Sequence, residues 1–154
     1  MTVPALLPMV IAGCSRRKLT TASPVPALEL YQGWCIPALR ARAARDPALR
    51  SRIWIISAEH GLVHADTPLL PYDRCITPAH AMALRPGAEQ RLREAFARDG
   101  VPPAVIVIAG PAYQSVLAGL PSLAGAGRVH WFSTPVDGWA DAEAILDRWS
   151  PPCP

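Results

Sequence analysis

Four blocks of consecutive apolar residues punctuate the chain. They lie at Ala5–Ala12, Arg52–Ser57, Ala104–Ala109 and Arg128–Phe132. The first runs into Gly13 and the third into Gly110. Their apolar residues are continuous rather than alternating, which is the pattern of strands buried on both faces of a parallel sheet. Helical periodicity fills the gaps. Leu28–Arg45 places Leu30, Trp34, Ala38, Ala41 and Arg45 in register, and Pro37 within it implies a kink or a late start. Gly87–Arg98 is amphipathic, with Leu92, Ala95 and Phe96 on one side. Ala112–Ala118 predicts a short helix, and Trp139–Trp149 a final one with Asp137 placed to cap it. This alternation predicts a single α/β domain over residues 1–149, a three-layer sandwich on a mostly parallel sheet of about four strands. The tail Ser150–Pro154 is expected to fray.

The stretch Glu59–Ala79 fits neither period. It holds Gly61, Pro68, Pro71 and Pro78 among two histidines, charged residues and a tyrosine. A connection of that length in a compact domain is usually functional.

Composition narrows the class. The chain has 154 residues and is 51% hydrophobic, enough for one cored domain. No apolar run reaches the ~20 residues of a membrane span. The apolar start lacks the basic flank of a signal peptide, so a reduced, cytoplasmic chain is the expectation. Cys14, Cys35, Cys75 and Cys153 show no metal-binding spacing, and no metal or organic cofactor is expected. The net charge of +3 is too mild to argue for a nucleic-acid partner or against one. Within the 15 basic residues lies an asymmetry: Lys18 is the one lysine and the other fourteen are arginine. Where charge alone matters, GC-rich codon bias turns Lys into Arg. A surviving Lys marks either a position that needs a compact ammonium or a codon accident.

Ligands of open parallel sheets bind at the carboxyl ends of the strands. Gly13-Cys14-Ser15-Arg16-Arg17-Lys18 follows the first strand, and Ala58-Glu59-His60-Gly61-Leu62 the second, leading to Pro71-Tyr72-Asp73. Gly110-Pro111-Ala112-Tyr113 follows the third and Ser133-Thr134 the fourth. The unusual residues therefore converge on one edge. The first loop resembles an anion cradle, with Ser15 and Lys18 as donors, although it is not a P-loop; an ordinary polar turn is the alternative. Cys14 is a candidate nucleophile or a small buried thiol. Glu59 and His60 are acid–base candidates, or turn formers, and His64 reads as a solvated loop residue. Tyr72 can stack on a planar base and Asp73 can bond it or activate water; otherwise the pair fixes the loop. Tyr113, beside Gly110, walls a pocket or joins the core. Arg40, Arg42, Arg45, Arg50 and Arg52 can meet phosphates or form a solvated helix face.

The motifs resemble an uncharacterised bacterial and phage domain family. The matching residues are Cys14, Ser15 and Lys18 in C-S-x-x-K; Leu30, Tyr31 and Gly33 before a helix; Ser57, Ala58, His60, Gly61 and Leu62 in S-A-x-[YH]-G-L; and Pro71, Tyr72 and Asp73. The similarity spans roughly residues 8 to 118. Its wider relatives include YaaA-type proteins, domains of archaeosine-synthesis enzymes and the uracil-DNA-glycosylase-like superfamily. The resemblance implies a Rossmann-like domain that handles nucleobases, nucleotides or nucleic acid. Glu59 departs from it, standing where a basic residue is expected, and no Gly-rich helix start follows Ser133.

The leading expectation is hydrolysis or base exchange at an N-glycosidic bond. Lys18, Ser15 and backbone amides would hold an anion, Tyr72 would stack the base, and Asp73 or Glu59 would activate water. His60 would move a proton or fix the loop. The rivals are a non-catalytic nucleic-acid-binding stress protein and a Cys14-dependent transferase.

Overall fold

The computed structural model describes residues 7–149, the side chains of 135–137 excepted. In chain order its elements are β1 (Met9–Gly13), β2 (Val25–Pro26), α1 (Ala27–Leu30), α2 (Ile36–Arg45), α3 (Pro47–Arg50), β3 (Ile53–Ser57), β4 (Gly61–His64) and β5 (Pro68–Leu69). Then come α4 (Pro78–Asp99), β6 (Val105–Ile108), α5 (Pro111–Val116), α6 (Leu120–Ala124), a 3-10 turn (Ala126–Arg128), β7 (Val129–Phe132) and α7 (Pro135–Trp149).

The main sheet has five strands in the order β4-β3-β1-β6-β7. Strands β3, β1, β6 and β7 are parallel, and β4 returns antiparallel along β3. The four apolar blocks are the four parallel strands. Alternate side chains point to opposite faces of a strand. Val10, Ala12, Ile53, Ile55, Ile106 and Ile108 therefore pack with Leu28, Ile36, Leu39, Leu49 and Leu146 on one face. Met9, Ile11, Trp54, Ile56, Val105 and Val107 pack with Leu92, Phe96, Val116 and Leu120 on the other. Helices cover both faces, which is why β1, β3 and β6 are apolar at nearly every position, while β7 at the edge leaves Trp131 exposed.

Several expectations change. The sheet has a fifth strand, because Ala58-Glu59-His60 turns the chain back rather than leading it away. Gly61 takes φ +74°, a conformation that costs a glycine little. Ser57↔Gly61 then opens an antiparallel ladder running to Trp54↔His64. The remainder of the long connection adds β5, which pairs with β2 in a two-stranded sheet. The helix expected over Leu28–Arg45 is two helices, interrupted at 31–35. Pro37 lies in the first turn of α2, so the late start is what forms. The helix expected at Gly87 begins at Pro78, where the Thr77 hydroxyl accepts the His80 N–H at 3.2 Å. Helix α7 begins two residues ahead of Asp137, whose side chain is outside the described residues. So are Ala5 and Leu6 of the first block, Cys153 and the tail.

Helix α4 carries Pro86 inside it, exposed and without an N–H to donate. An interior proline strains a helix and removes one bond. Pro86→Ala should raise the urea midpoint, stabilising the protein by about 1–3 kcal/mol with an unchanged slope. A lower midpoint would show that the bend itself is needed.

Candidate functional site

Strand β1 leads by helices to β3 on one side, and β6 lies on its other side. The crevice beyond the carboxyl ends of β1 and β6 is thus the switch point of the sheet, where such folds bind ligands. Gly13 ends β1 there. A Cβ on it would stand 3.2 Å from the Cβ of Ala109, so only glycine lets the two strand ends approach without displacement.

The loop after Gly13 is tied to residues 30–33. The Ser15 hydroxyl donates to Arg17 O at 2.7 Å and accepts the Gly33 N–H at 3.1 Å. The Gln32 N–H donates to Arg17 O, the Leu19 N–H to Leu30 O, and Lys18 bridges to Tyr31. The cradle expected of this loop is therefore internally bonded. Ser15 is buried with its hydroxyl committed, and the Cys14 amide donates to Ile56 O. The charges remain. Lys18 Nζ donates to Arg16 O at 3.2 Å and sits over the Tyr72 ring, 4.3 Å from its centroid. An ammonium over a phenol face is attracted to the ring's negative face.

Beneath Lys18 runs a chain of hydroxyls. Ser57, fully buried at the end of β3, accepts the N–H groups of Glu59 and His60 at 3.2 and 3.0 Å. With both lone pairs taken, its own O–H is left to donate to Tyr72 Oη at 2.7 Å. Tyr72 and Tyr31 share a further hydrogen bond of 2.7 Å. One serine thus fixes the β3–β4 turn and the ring that carries Lys18. Burial pushes the Tyr31 hydroxyl up to about 12. Burial, before the electrostatic influence of Cys14, raises Tyr72. Tyr113 is raised by burial and by its bond from the Cys14 thiol, 3.3 Å away.

Cys14, Ser15, Lys18, Asp73 and Tyr113 converge, as the strand-end reading expects. They line a cleft of about 210 Å³ with Arg16, Arg74, Cys75 and Ile76. Gly110 lies in a smaller slot of about 100 Å³ with Gly13, Cys14, Trp34 and Tyr113. Glu59 and His60 are set apart. With Tyr72, Pro24, Leu70 and Pro71 they line a separate cavity of about 400 Å³. The His60 ring meets Tyr72 edge-on at 5.5 Å between centroids, and Glu59 pairs with Arg74 at 3.6 Å. Tyr72 lines this second cavity and carries Lys18, a residue of the cleft, on its ring. His64 is structural: its Nδ1 accepts the Asp66 N–H, which leaves Nε2 to donate to Ser51 O at 3.0 Å.

Sequence reasoning gave no site role to Arg74, Cys75 and Trp34, and named Arg16 and Ser57 only as members of a loop and of a motif. Ser57 carries a signal, as the polar residue closing an apolar block, and Arg74-Cys75 directly follows P-Y-D. Trp34 carries none, since it fits the helical register. Cys35 is buried, with its thiol pushed up to about 12 by desolvation. Four of the five clustered arginines are held in place. Arg40 donates to Leu28 O and Tyr31 O, Arg42 pairs with Asp147, Arg50 with Glu29 and Asp66, and Arg52 donates to Leu7 O. Among the described residues, no cluster of His, Cys, Asp or Glu could hold a metal ion, and no helix is long and apolar enough to cross a membrane.

Residues 9–131, from β1 into β7, match the family described as "Family of unknown function (DUF6884)", and the chain belongs to it. No curated protein and no solved structure matches the chain.

All three tyrosines of the chain lie at this edge and have raised values. Folding holds them neutral where the unfolded chain ionises, so their contribution is complete below about pH 10 and is lost as pH rises through the folded values. Alkaline titration of the native protein, read by tyrosinate absorbance, should show no tyrosine ionising near pH 10. Stability should begin to fall there. One tyrosine titrating normally would mean that the hydroxyl chain is open to water.

Proposed function

We propose that this DUF6884 member hydrolyses, or exchanges the base of, the N-glycosidic bond of a nucleotide, nucleoside or modified nucleic-acid base. One observation carries the reading. The switch-point cleft sets a single carboxylate, Asp73, among Lys18, Arg16 and Arg74. Lys18 and Arg16 suit a phosphate or another anionic group, Arg74 being paired with Glu59, and Lys18 is a compact point charge on a rigid ring. Asp73 then faces the sugar. It takes a proton from water as the water oxygen bonds to the anomeric carbon. The C–N bond breaks, its electron pair leaves with the base, and the base takes up a proton from solvent. In exchange, a second base replaces water. A carboxylate also stabilises the positive charge that develops on the sugar.

Tyr72 carries Lys18 in this reading rather than the base, and Glu59 and His60 flank the site from the next cavity. The helices on both sheet faces are taken as a Rossmann-like three-layer sandwich, and the resemblance to YaaA-type and glycosylase-like proteins supports the same substrate class. A nucleic-acid-binding protein without catalysis draws less support, since most of the arginine cluster is engaged within the fold. A Cys14-dependent transferase keeps one specific argument: the Cys14 thiol lines both the cleft and the slot. Full activity in Cys14→Ala removes that reading.

The test is incubation with nucleoside monophosphates, nucleosides and modified-base DNA, with released base read by chromatography. Release should fall by about 10²-fold or more in Asp73→Asn, while the folding midpoint stays put. No release from any substrate by folded protein sinks the proposal. Lys18→Arg keeps the charge but replaces a compact ammonium with a planar fork. It should raise KM with little change in stability; unchanged kinetics would make the lone lysine a codon accident.

A further inference from the structure

Trp34 is the one described non-glycine residue with a positive φ, at +61°. A bulky residue held there is strained, and such strain gathers at ligand sites. The indole is fixed by its N–H, which donates to Ile108 O at 3.1 Å across the switch point. Even so, the side chain stays 37% exposed. Its neighbours in the slot of about 100 Å³ are Tyr113, Cys14 and two glycines, and the exposed lining is apolar. A Cβ on Gly110 would meet nothing within 4 Å, so the space beside this lining residue is left open by a missing side chain. Cys14 and Tyr113 also line the cationic cleft, which makes slot and cleft neighbours through shared walls.

We propose that the slot seats a single aromatic ring of pyrimidine size between Trp34 and Tyr113, while an anionic group on the same molecule lies in the cleft. A buried apolar cavity of about 150 Å³ accepts a benzene ring. The slot, at about 100 Å³, is smaller than that and open at its mouth, so it takes one six-membered ring in part and leaves still more of a purine outside. Aromatic walls offer stacking, and an apolar lining offers no partners for ring-edge donors and acceptors. The slot therefore reads ring size and face, and it accepts uracil and cytosine alike. Tyr72, the stacking residue expected from the sequence, is replaced in that role by Trp34. The proposal rests on the reading of the cleft as an anion site.

Calorimetric titration separates the two. UMP, CMP, AMP and ribose 5-phosphate are the probes, with chromatography reading any base released so that binding is taken from intact ligand. UMP and CMP should bind at least tenfold more tightly than ribose 5-phosphate, and AMP more weakly than UMP. In Trp34→Ala and in Gly110→Val, which fills the open space, the advantage of UMP should shrink to within twofold. The affinity for ribose 5-phosphate should hold in both. Circular dichroism establishes folding, and Gly110→Val serves if Trp34→Ala does not fold. Equal binding of UMP and ribose 5-phosphate by the wild-type protein overturns the ring seat and leaves the anion cleft standing. An advantage of UMP that survives in Gly110→Val, or AMP binding as tightly as UMP, also overturns it. Binding of none of the four overturns the cleft and the seat together.

Discussion

A buried hydroxyl governs the functional edge. Ser57 sits at the end of an otherwise apolar strand with no access to water, so every bond it can make has to be found within the fold. Two amides of the β3–β4 turn approach from one side and the Tyr72 hydroxyl from the other. An alanine there would leave those amides and a phenol short of a partner, and buried polar groups without partners are costly. The turn, the tyrosine pair and the lysine above them are therefore one unit. The position of the sole ammonium is decided two residues away from it in space, by a serine that never meets the solvent.

The parallel sheet was legible because its evidence is local and redundant. Strands buried on both faces need four or five apolar residues in succession, and Ile53-Trp54-Ile55-Ile56 or Val105-Ile106-Val107-Ile108 satisfy no other element so briefly. Strand β4 was hidden for the opposite reason. Gly-Leu-Val-His is short, opens on a glycine and precedes a run of prolines, so its strand state comes from pairing with β3 rather than from its own residues. The break between α1 and α2 was hidden too. Trp34 fits helical spacing, and only its contact with Ile108, 74 residues away, holds it out of the helix. At the site, convergence was readable from the order of strands and loops. The separation of Glu59 and His60 from the cleft was not, because it follows from the turn back into β4, which pairing with β3 sets.

Charge tells a similar story. Fourteen arginines and one lysine suggested a difference in kind, and the fold gives it a physical form. Arginine forks are used where two partners must be bridged, as Arg50 bridges Glu29 and Asp66. The lysine is used where one charge must rest on a flat ring. Net charge says little about function here, because much of the positive charge is neutralised where it stands.

Strand β1 lies at the centre of the sheet, yet both its neighbours come later in the chain, and the Cys14–Tyr113 contact joins residues 99 apart. Such contacts raise the entropic cost of ordering before any reward arrives, and they slow folding. During synthesis at roughly 5–20 residues per second, β1 waits several seconds for the strand that completes its edge. The two walls of the candidate crevice thus meet only after β6 has been made. The crevice cannot form until the hydrophobic centre has closed. Folding and assembly of the candidate site are, for this protein, the same late event.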